Sequence, residues 1–144
     1  MEIRVSAKGL VSCGDQSFVF VAGRRGMWNL PGGGINSGET ADMAFIREAN
    51  EEIANFSNIS TSPVNAFTIE GQVTSDNDVS LLARWVVFRA ALIVPSAELS
   101  IPENSEITAI TTFSADECLQ RNNVSKLAQS AVRLAVRPDH ATVA

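Results

Sequence analysis

Apolar and polar residues alternate at the start of the chain, where Ile3, Val5 and Ala7 interleave with Glu2, Arg4 and Ser6, the pattern of a half-buried strand. Phe18, Phe20 and Ala22 resume the alternation after a Gly14–Asp15 turn and predict a neighbouring strand. From Thr40 the period becomes helical. Met43, Phe45, Ile46, Ala49 and Ile53 are expected to gather on one side of a helix and to bury it, with Thr40 as N-cap and Asp42 in the first turn. Phe67, Ile69 and Val73 alternate with Thr68, Glu70 and Gln72 as a one-sided strand, and the turn Ser75-Asp76-Asn77-Asp78 predicts a hairpin. The return segment Leu81 to Val94 is apolar on both parities, as expected of a central strand covered on both faces. A strand from Ile107 to Phe113 precedes a capping box, Ser114-Ala115-Asp116-Glu117. Val124, Leu127, Ala131 and Leu134 then mark a carboxy-terminal amphipathic helix that Pro138 stops. Short strands with two helical segments, and no repeat or linker, predict an α/β (α+β) fold with a mixed sheet between helices. One domain is expected over residues 1–137, with a polar tail over 138–144.

A chain of 144 residues that is 45% hydrophobic, with mean hydropathy +0.09, is long enough for one real core. Its net charge of −5 argues against tracking extended nucleic acid, which needs clustered Lys and Arg to displace counterions. No apolar run approaches the roughly 20 residues of a membrane helix, and Met1-Glu2-Ile3-Arg4 opens a strand without an apolar signal core. No membrane association and a cytoplasmic location are the expectations. Cys13 and Cys118 lack ligand-like spacing and are expected to be buried or free thiols. The only histidine, His140, sits in the polar tail and takes no role, which excludes histidine-dependent nucleophilic triads.

The chemistry concentrates between Gly33 and Asn55. Glu48, Glu51 and Glu52 stand at i, i+3 and i+4, so three carboxylates fall within about 100° of helical arc. Such neighbours repel by a few tenths of a kcal/mol per pair. On an arbitrary helix they form a solvated acidic face; a divalent cation would remove the repulsion, and hard oxygen ligands in this number favour Mg2+ or Mn2+ over zinc. The residues upstream favour the cation. Leu30-Pro31-Gly32-Gly33-Gly34 ends a strand in a turn whose backbone can approach a ligand closely, and Asn36-Ser37-Gly38 delivers Glu39 to the helix entrance.

In this window the chain resembles the Nudix hydrolases, whose box runs glycine, five residues, glutamate, seven residues, Arg-Glu-aliphatic, one residue, Glu-Glu, one residue, Gly-aliphatic. Gly33, Glu39, Arg47, Glu48, Ala49, Glu51 and Glu52 fall in register, and Trp28-Asn29-Leu30-Pro31-Gly32-Gly33 looks like the family's entry to the box. Ala54 and Asn55 replace the closing glycine and aliphatic residue, and Ala49 is small for its slot. The resemblance implies an α/β/α sandwich and a pyrophosphohydrolase acting on a nucleoside diphosphate derivative. It implies that Glu48, Glu51 and Glu52 hold divalent ions, with the Gly33 carbonyl as a further ligand, and that Arg47 orients the glutamates while Glu39 braces the loop through Arg47. The general base is left among Glu48, Glu51 and the remote Glu103 and Glu106.

Arg24, Arg25 and Trp28, after the second strand, and Arg84, within the apolar strand, are candidates for substrate binding; Arg89 has the opposite parity to Arg84. Each has an ordinary alternative in exposure or packing. The resemblance marks ADP-ribose and dinucleoside polyphosphate branches by a proline or tyrosine beyond the box. Here that region is Glu70-Gly71-Gln72, and the chain has no tyrosine. A coenzyme A signature is also missing upstream, at Val21-Ala22-Gly23-Arg24-Arg25. A small nucleotide substrate therefore remains, most simply a nucleoside triphosphate in the MutT-like manner, with a decapping-like activity weakly suggested by Gly34-Ile35-Asn36-Ser37-Gly38-Glu39. The competing reading is a catalytically idle Nudix-like module that binds a nucleotide and regulates or scaffolds a partner. A homodimer is admitted by the sequence without being indicated by it.

Overall fold

The computed structural model describes residues 1–13, 17–56, 63–75 and 77–136. Among these residues seven strands form one mixed sheet: β1 (Glu2–Cys13), β2 (Ser17–Ala22), β3 (Trp28–Asn29), β4 (Gly32–Gly34), β5 (Val64–Thr74), β6 (Ser80–Leu92) and β7 (Ala109–Phe113). Among the described residues three α-helices of six residues or more cover it: α1 (Ala41–Glu52), α2 (Ala115–Gln120) and α3 (Lys126–Val136). The main path runs β3-β2-β1-β6-β5, with β4 also on β1 and β7 also on β2. β1 and β6 pair in parallel from Glu2↔Leu81 to Cys13↔Leu92; the other pairings are antiparallel.

The second edge of β1 is divided. Ser6, Ala7 and Lys8 pair with β4, Ser12 and Cys13 pair with β2, and the Gly9 N–H between them donates to the Pro31 carbonyl at 2.9 Å. The glycine turn is thus laid against β1 as part of the sheet.

Strand alternation sorts the apolar residues into two cores. Leu10, Phe20, Trp85, Val87 and Phe113 meet Leu127, Ala128, Ala131 and Val132 on the α3 side. Ala7, Val11, Val19, Phe88 and Ala90 meet Phe45, Ala49 and Ile53 on the α1 side. β6 serves both, with Leu81, Ala83, Trp85 and Val87 on one face and Phe88, Ala90 and Leu92 on the other, as its two apolar parities predict. The arrangement is the expected mixed sheet between helices. Among the described residues no helix is long and apolar enough to cross a membrane.

Several expectations change. Met43 and Ile46 are exposed (54% and 37%), while Ala44 is buried beside Phe45 and Ala49. The inward stripe of α1 is therefore Ala44, Phe45, Glu48, Ala49, Glu52 and Ile53, which share an arc at about 100° per residue. Glu48 and Glu52 lie within the stripe that faces the sheet instead of opposite it. Ile3 and Val5 are exposed (51% and 37%), because the buried stretch of β1 on this face begins at Ala7. Leu134 is 38% exposed.

The predicted carboxy-terminal helical segment is two helices. Ser114 and Glu117 do form the capping box, exchanging hydrogen bonds at 2.8 and 3.1 Å, but the helix they start ends at an extended Arg121. The carbonyls of Cys118 and Arg121 at that end accept from the Gln129 side chain at 3.0 and 2.7 Å. The strand expected over 107–113 begins at Ala109. Both cysteines are buried and in no disulfide, and Cys13 Sγ donates to the Val94 carbonyl at 3.0 Å. The Gly14–Asp15 turn, Asp76, Pro138, His140 and the tail lie outside the described residues; the hairpin joining β5 to β6 is present, with Ser75 N–H donating to the Val79 carbonyl at 2.9 Å.

Candidate active site

Thr40, extended at the N-cap, accepts from the Met43 N–H, so α1 starts where the sequence predicts. The helix then carries Arg47 back toward the loop before it. Arg47 Nε and Nη2 bind the two oxygens of Glu39 at 2.7 and 3.0 Å, Nη1 binds Glu48 Oε1 at 2.9 Å, and Nη2 also donates to the Gly34 carbonyl at 3.0 Å. Glu51 Oε1 stands 3.8 Å from Nη1. Glu39 in turn accepts the Asn36 N–H at 2.8 Å. This forked pairing closes the turn onto the helix. The Arg47 hydrogen bonds, followed by that of the Asn36 N–H, hold Glu39 below the usual carboxylate range, and Glu39 and Glu48 raise the Arg47 pKa.

Two glycines permit this closeness for different reasons. Gly32 has φ +131°, and a Cβ there would lie 2.1 Å from the Ala7 carbonyl oxygen. A Cβ at Gly33 would lie 2.6 Å from the Glu48 carboxyl carbon, so the bare residue is the cradle in which that carboxylate rests. Glu52 Oε1 accepts the Gly32 N–H at 2.8 Å. Burial pushes the Glu52 pKa up to about 7; the Gly32 bond and Lys8 oppose the rise, and Glu48 and Glu51 add to it.

Glu48, Glu51 and Glu52 line one cavity of about 490 Å³ together with Glu103, Asn104, Ser105 and Glu106 from the loop before β7. The local and remote base candidates thus face the same space. Five carboxylates with no nitrogen or sulfur donor make a hard-oxygen set that fits Mg2+ or Mn2+, and the Gly33 cradle leaves room for Glu48 to turn toward an ion. Among the described residues no three acidic, histidine or cysteine side chains already converge at ligating distance. Arg47 holds Glu48, and the Gly32 N–H holds Glu52.

The substrate candidates are dispersed. Arg24 and Arg25 are exposed in the loop after β2. That loop adjoins the acidic one, since Thr108 Oγ1 donates to the Ala22 and Gly23 carbonyls at 3.2 and 3.1 Å. Trp28 packs edge-on against Phe113 with centroids 5.6 Å apart, and its backbone is tied to Asn123 and Ser125. Arg84 is paired across strands with Glu70 at 2.5 Å and lines neither cavity described here. Arg89, of opposite parity, donates to the Ala135 carbonyl at 3.2 Å, at the end of α3 where a cation suits the helix dipole.

Sequence reasoning passed over Lys8 and Asn29. Both line a second cavity of about 610 Å³ on the α3 side of the sheet, with Arg4, Ser6 and Trp85. Asn29 Oδ1 accepts from the Leu30 N–H and from Ser125 Oγ at 2.9 and 3.0 Å. Lys8 Nζ lies 5.1 Å from the Trp85 ring centroid and 3.4 Å from each of the Leu30 and Gly32 carbonyls. Burial lowers its pKa against the pull of Glu52 and Glu48. The available signal was parity: Lys8 shares its face with Leu10, but it also continues the polar series of Glu2, Arg4 and Ser6.

A family model described as NUDIX domain matches residues 3–134. The RNA pyrophosphohydrolases of Edwardsiella ictaluri and Serratia proteamaculans are each 49% identical to this chain over 47 residues, which is 31% of this chain and 27% of theirs. The alignment spans about a quarter of the length of these curated relatives. Among solved structures, the E. coli dihydroneopterin triphosphate pyrophosphohydrolase superposes with TM-score 0.72 at 19% identity, over 94% of this chain and 98% of that one. The NUDIX domain of Shewanella oneidensis NrtR, complexed with ADP ribose, superposes with TM-score 0.70 at 14% identity, over 94% and 87%. At such identities the likeness shows the fold.

Proposed function

The chain belongs to the Nudix hydrolase family, and from that premise we propose that it is a divalent-metal-dependent pyrophosphohydrolase that hydrolyses a nucleoside triphosphate to the monophosphate and pyrophosphate. The observation that carries the proposal is the Arg47 clamp: one guanidinium ties Glu39 and Glu48 together beside Glu51, and the acids of α1 open on one cavity. An idle binding module has no need of this full complement of charged groups opening on one cavity.

Glu48, Glu51 and Glu52 would hold Mg2+ or Mn2+, with the Gly33 carbonyl as a further ligand. Such ions, when bound, would neutralise charge on the bridging and leaving oxygens and would make a water nucleophilic near neutral pH. Arg47 fixes the direction in which Glu48 approaches, and Glu39 fixes Arg47. The proton of the attacking water passes to a carboxylate of the same cavity, either Glu48 or Glu51 on the helix or Glu103 or Glu106 on the loop. Arg24 and Arg25, beside that loop, are assigned to substrate phosphates, for which forked donors are suited.

A second reading follows from the 47-residue match to proteins named RNA pyrophosphohydrolase: the triphosphate at the 5′ end of an RNA as substrate. Incubation with Mg2+ and either a nucleoside triphosphate panel or a 5′-triphosphorylated oligoribonucleotide, with products separated by anion exchange, decides between them. Magnesium-dependent pyrophosphate release is expected from the mononucleotides and should disappear in Glu52→Gln. No cleavage of any member would leave the idle module, and parental turnover by Glu52→Gln would defeat the ligand assignment.

A further inference from the structure

Gly32 is strung between two side chains from opposite faces of the sheet. Its N–H donates to Glu52 Oε1 on the α1 side at 2.8 Å, and its carbonyl accepts from Lys8 Nζ, which reaches it from the α3-side cavity. Lys8 binds the Leu30 carbonyl as well, so one ammonium spans both ends of the Leu30-Pro31-Gly32 turn. The turn is also fixed by backbone pairing, Lys8 lying opposite Gly32 in the β1–β4 ladder. The stem of Lys8 is itself immobilised, because Nζ sits over the face of Trp85, an arrangement that favours a cation.

We infer that Lys8 is a positioning residue for the carboxylate site, holding the Leu30–Gly32 turn from the cavity on the α3 side so that the Gly32 N–H is presented to Glu52. The inference rests on the metal-site reading of Glu52 only for its functional consequence; the positioning itself is a property of the chain. Two opposite effects of Lys8 on a cation at the carboxylates are separable. As a mere positive charge it would repel the ion, and its removal would tighten binding. As a positioning group it acts like the outer-shell partners of metal ligands, whose removal weakens binding.

Lys8→Met keeps the stem over Trp85 and removes charge and donors; Lys8→Gln serves if the methionine variant fails to fold. Hydrogen exchange of the Gly32 amide in the metal-free protein should speed up by about tenfold relative to the parent, while the core amide of Val87 keeps its protection. Calorimetric titration with Mn2+ should show affinity weakened by about tenfold, with Lys8→Arg recovering part of the loss. Unchanged protection at Gly32, or Mn2+ binding as tight as or tighter than the parent, overturns the inference. If the parent chain itself bound no Mn2+, the metal reading would fall and the exchange measurement would still decide the role of Lys8.

Discussion

Adjacent glycines in the turn should respond to the same substitution in opposite ways. In Gly33→Ala the new methyl would sit 2.6 Å from the Glu48 carboxyl carbon and 2.8 Å from both of its oxygens. Ordinary contact is about 3.5 Å, so the carboxylate must withdraw by roughly 1 Å. It is the end of a flexible side chain, and it can do so without moving backbone. A misplacement of about 1 Å at a reacting centre costs on the order of 100-fold in rate, or about 2.7 kcal/mol of transition-state stabilisation. Stability should barely change, since reduced freedom of the unfolded chain offsets the local crowding by about 0.4–1 kcal/mol. In Gly32→Ala the methyl would meet the Ala7 carbonyl at 2.1 Å and the Lys8 Cα at 2.8 Å, at φ +131°. Both obstacles are backbone, and backbone strain alone contributes about 1–3 kcal/mol. With the β1–β4 pairing disturbed, a loss of roughly 3 kcal/mol corresponds to a Tm lowered by about 6–12 °C. Thermal melts by circular dichroism and pyrophosphate release on the two variants provide the comparison. A Gly33→Ala protein that melts as low as Gly32→Ala, or that turns over at the parental rate, would refute the cradle.

Burial of single polar groups has three further consequences. Glu52 has its pKa raised above the unfolded value, to about 7, so its contribution to stability is full below about pH 4.5 and is lost as pH rises through 7; metal-free Glu52→Gln should therefore melt above the parent at pH 8 and level with it at pH 4, and a lower melt at pH 8 contradicts the burial argument. Burial pushes the Cys118 thiol up to about 11, so it stays protonated at pH 8 and should react with a disulfide reagent only on unfolding, while its contribution to stability declines as pH climbs from about 9 through 11; prompt labelling of the native protein at Cys118 would be the contrary result. Asn55 Oδ1 is a buried acceptor without a donor among the described residues, so Asn55→Leu should stabilise by about 1 kcal/mol, or about 2–4 °C in Tm, and a lowered Tm would show that the amide is satisfied.

The parts of the fold that could be read from sequence are those whose signal is local. The capping box at Ser114 and Glu117 and the two-faced β6 each involve nearby residues or strict alternation, and each stands as expected. The inward face of α1 could not be read that way. Charged residues were assigned to the outside, whereas Glu48 and Glu52 occupy the stripe turned toward the glycine turn, which leaves Met43 and Ile46 exposed. Lys8 was hidden for a related reason: it continues the polar series of Glu2, Arg4 and Ser6 on its face of β1, and only the pairing with β4 and β6 shows that a cavity wall begins there. The break between α2 and α3 depends on Gln129 reaching carbonyls eight and eleven residues earlier, which no window of apolar periodicity reports.

The parallel seam between β1 and β6 also sets a schedule for synthesis. Every pairing along it joins residue i to residue i+79, from Glu2 with Leu81 to Cys13 with Leu92. At translation rates of about 5–20 residues per second, the first strand waits roughly 4–16 s for its partner to be made. During that interval β2, β4 and α1 are already made and can reach β1, but its other edge, along the whole length from Glu2 to Cys13, has no strand to pair with. β5 and β6 can join as a hairpin as soon as they emerge, so the sheet closes when that hairpin meets β1, and until then the long unpaired edge of β1 is the part of the nascent sheet most open to capture by a chaperone.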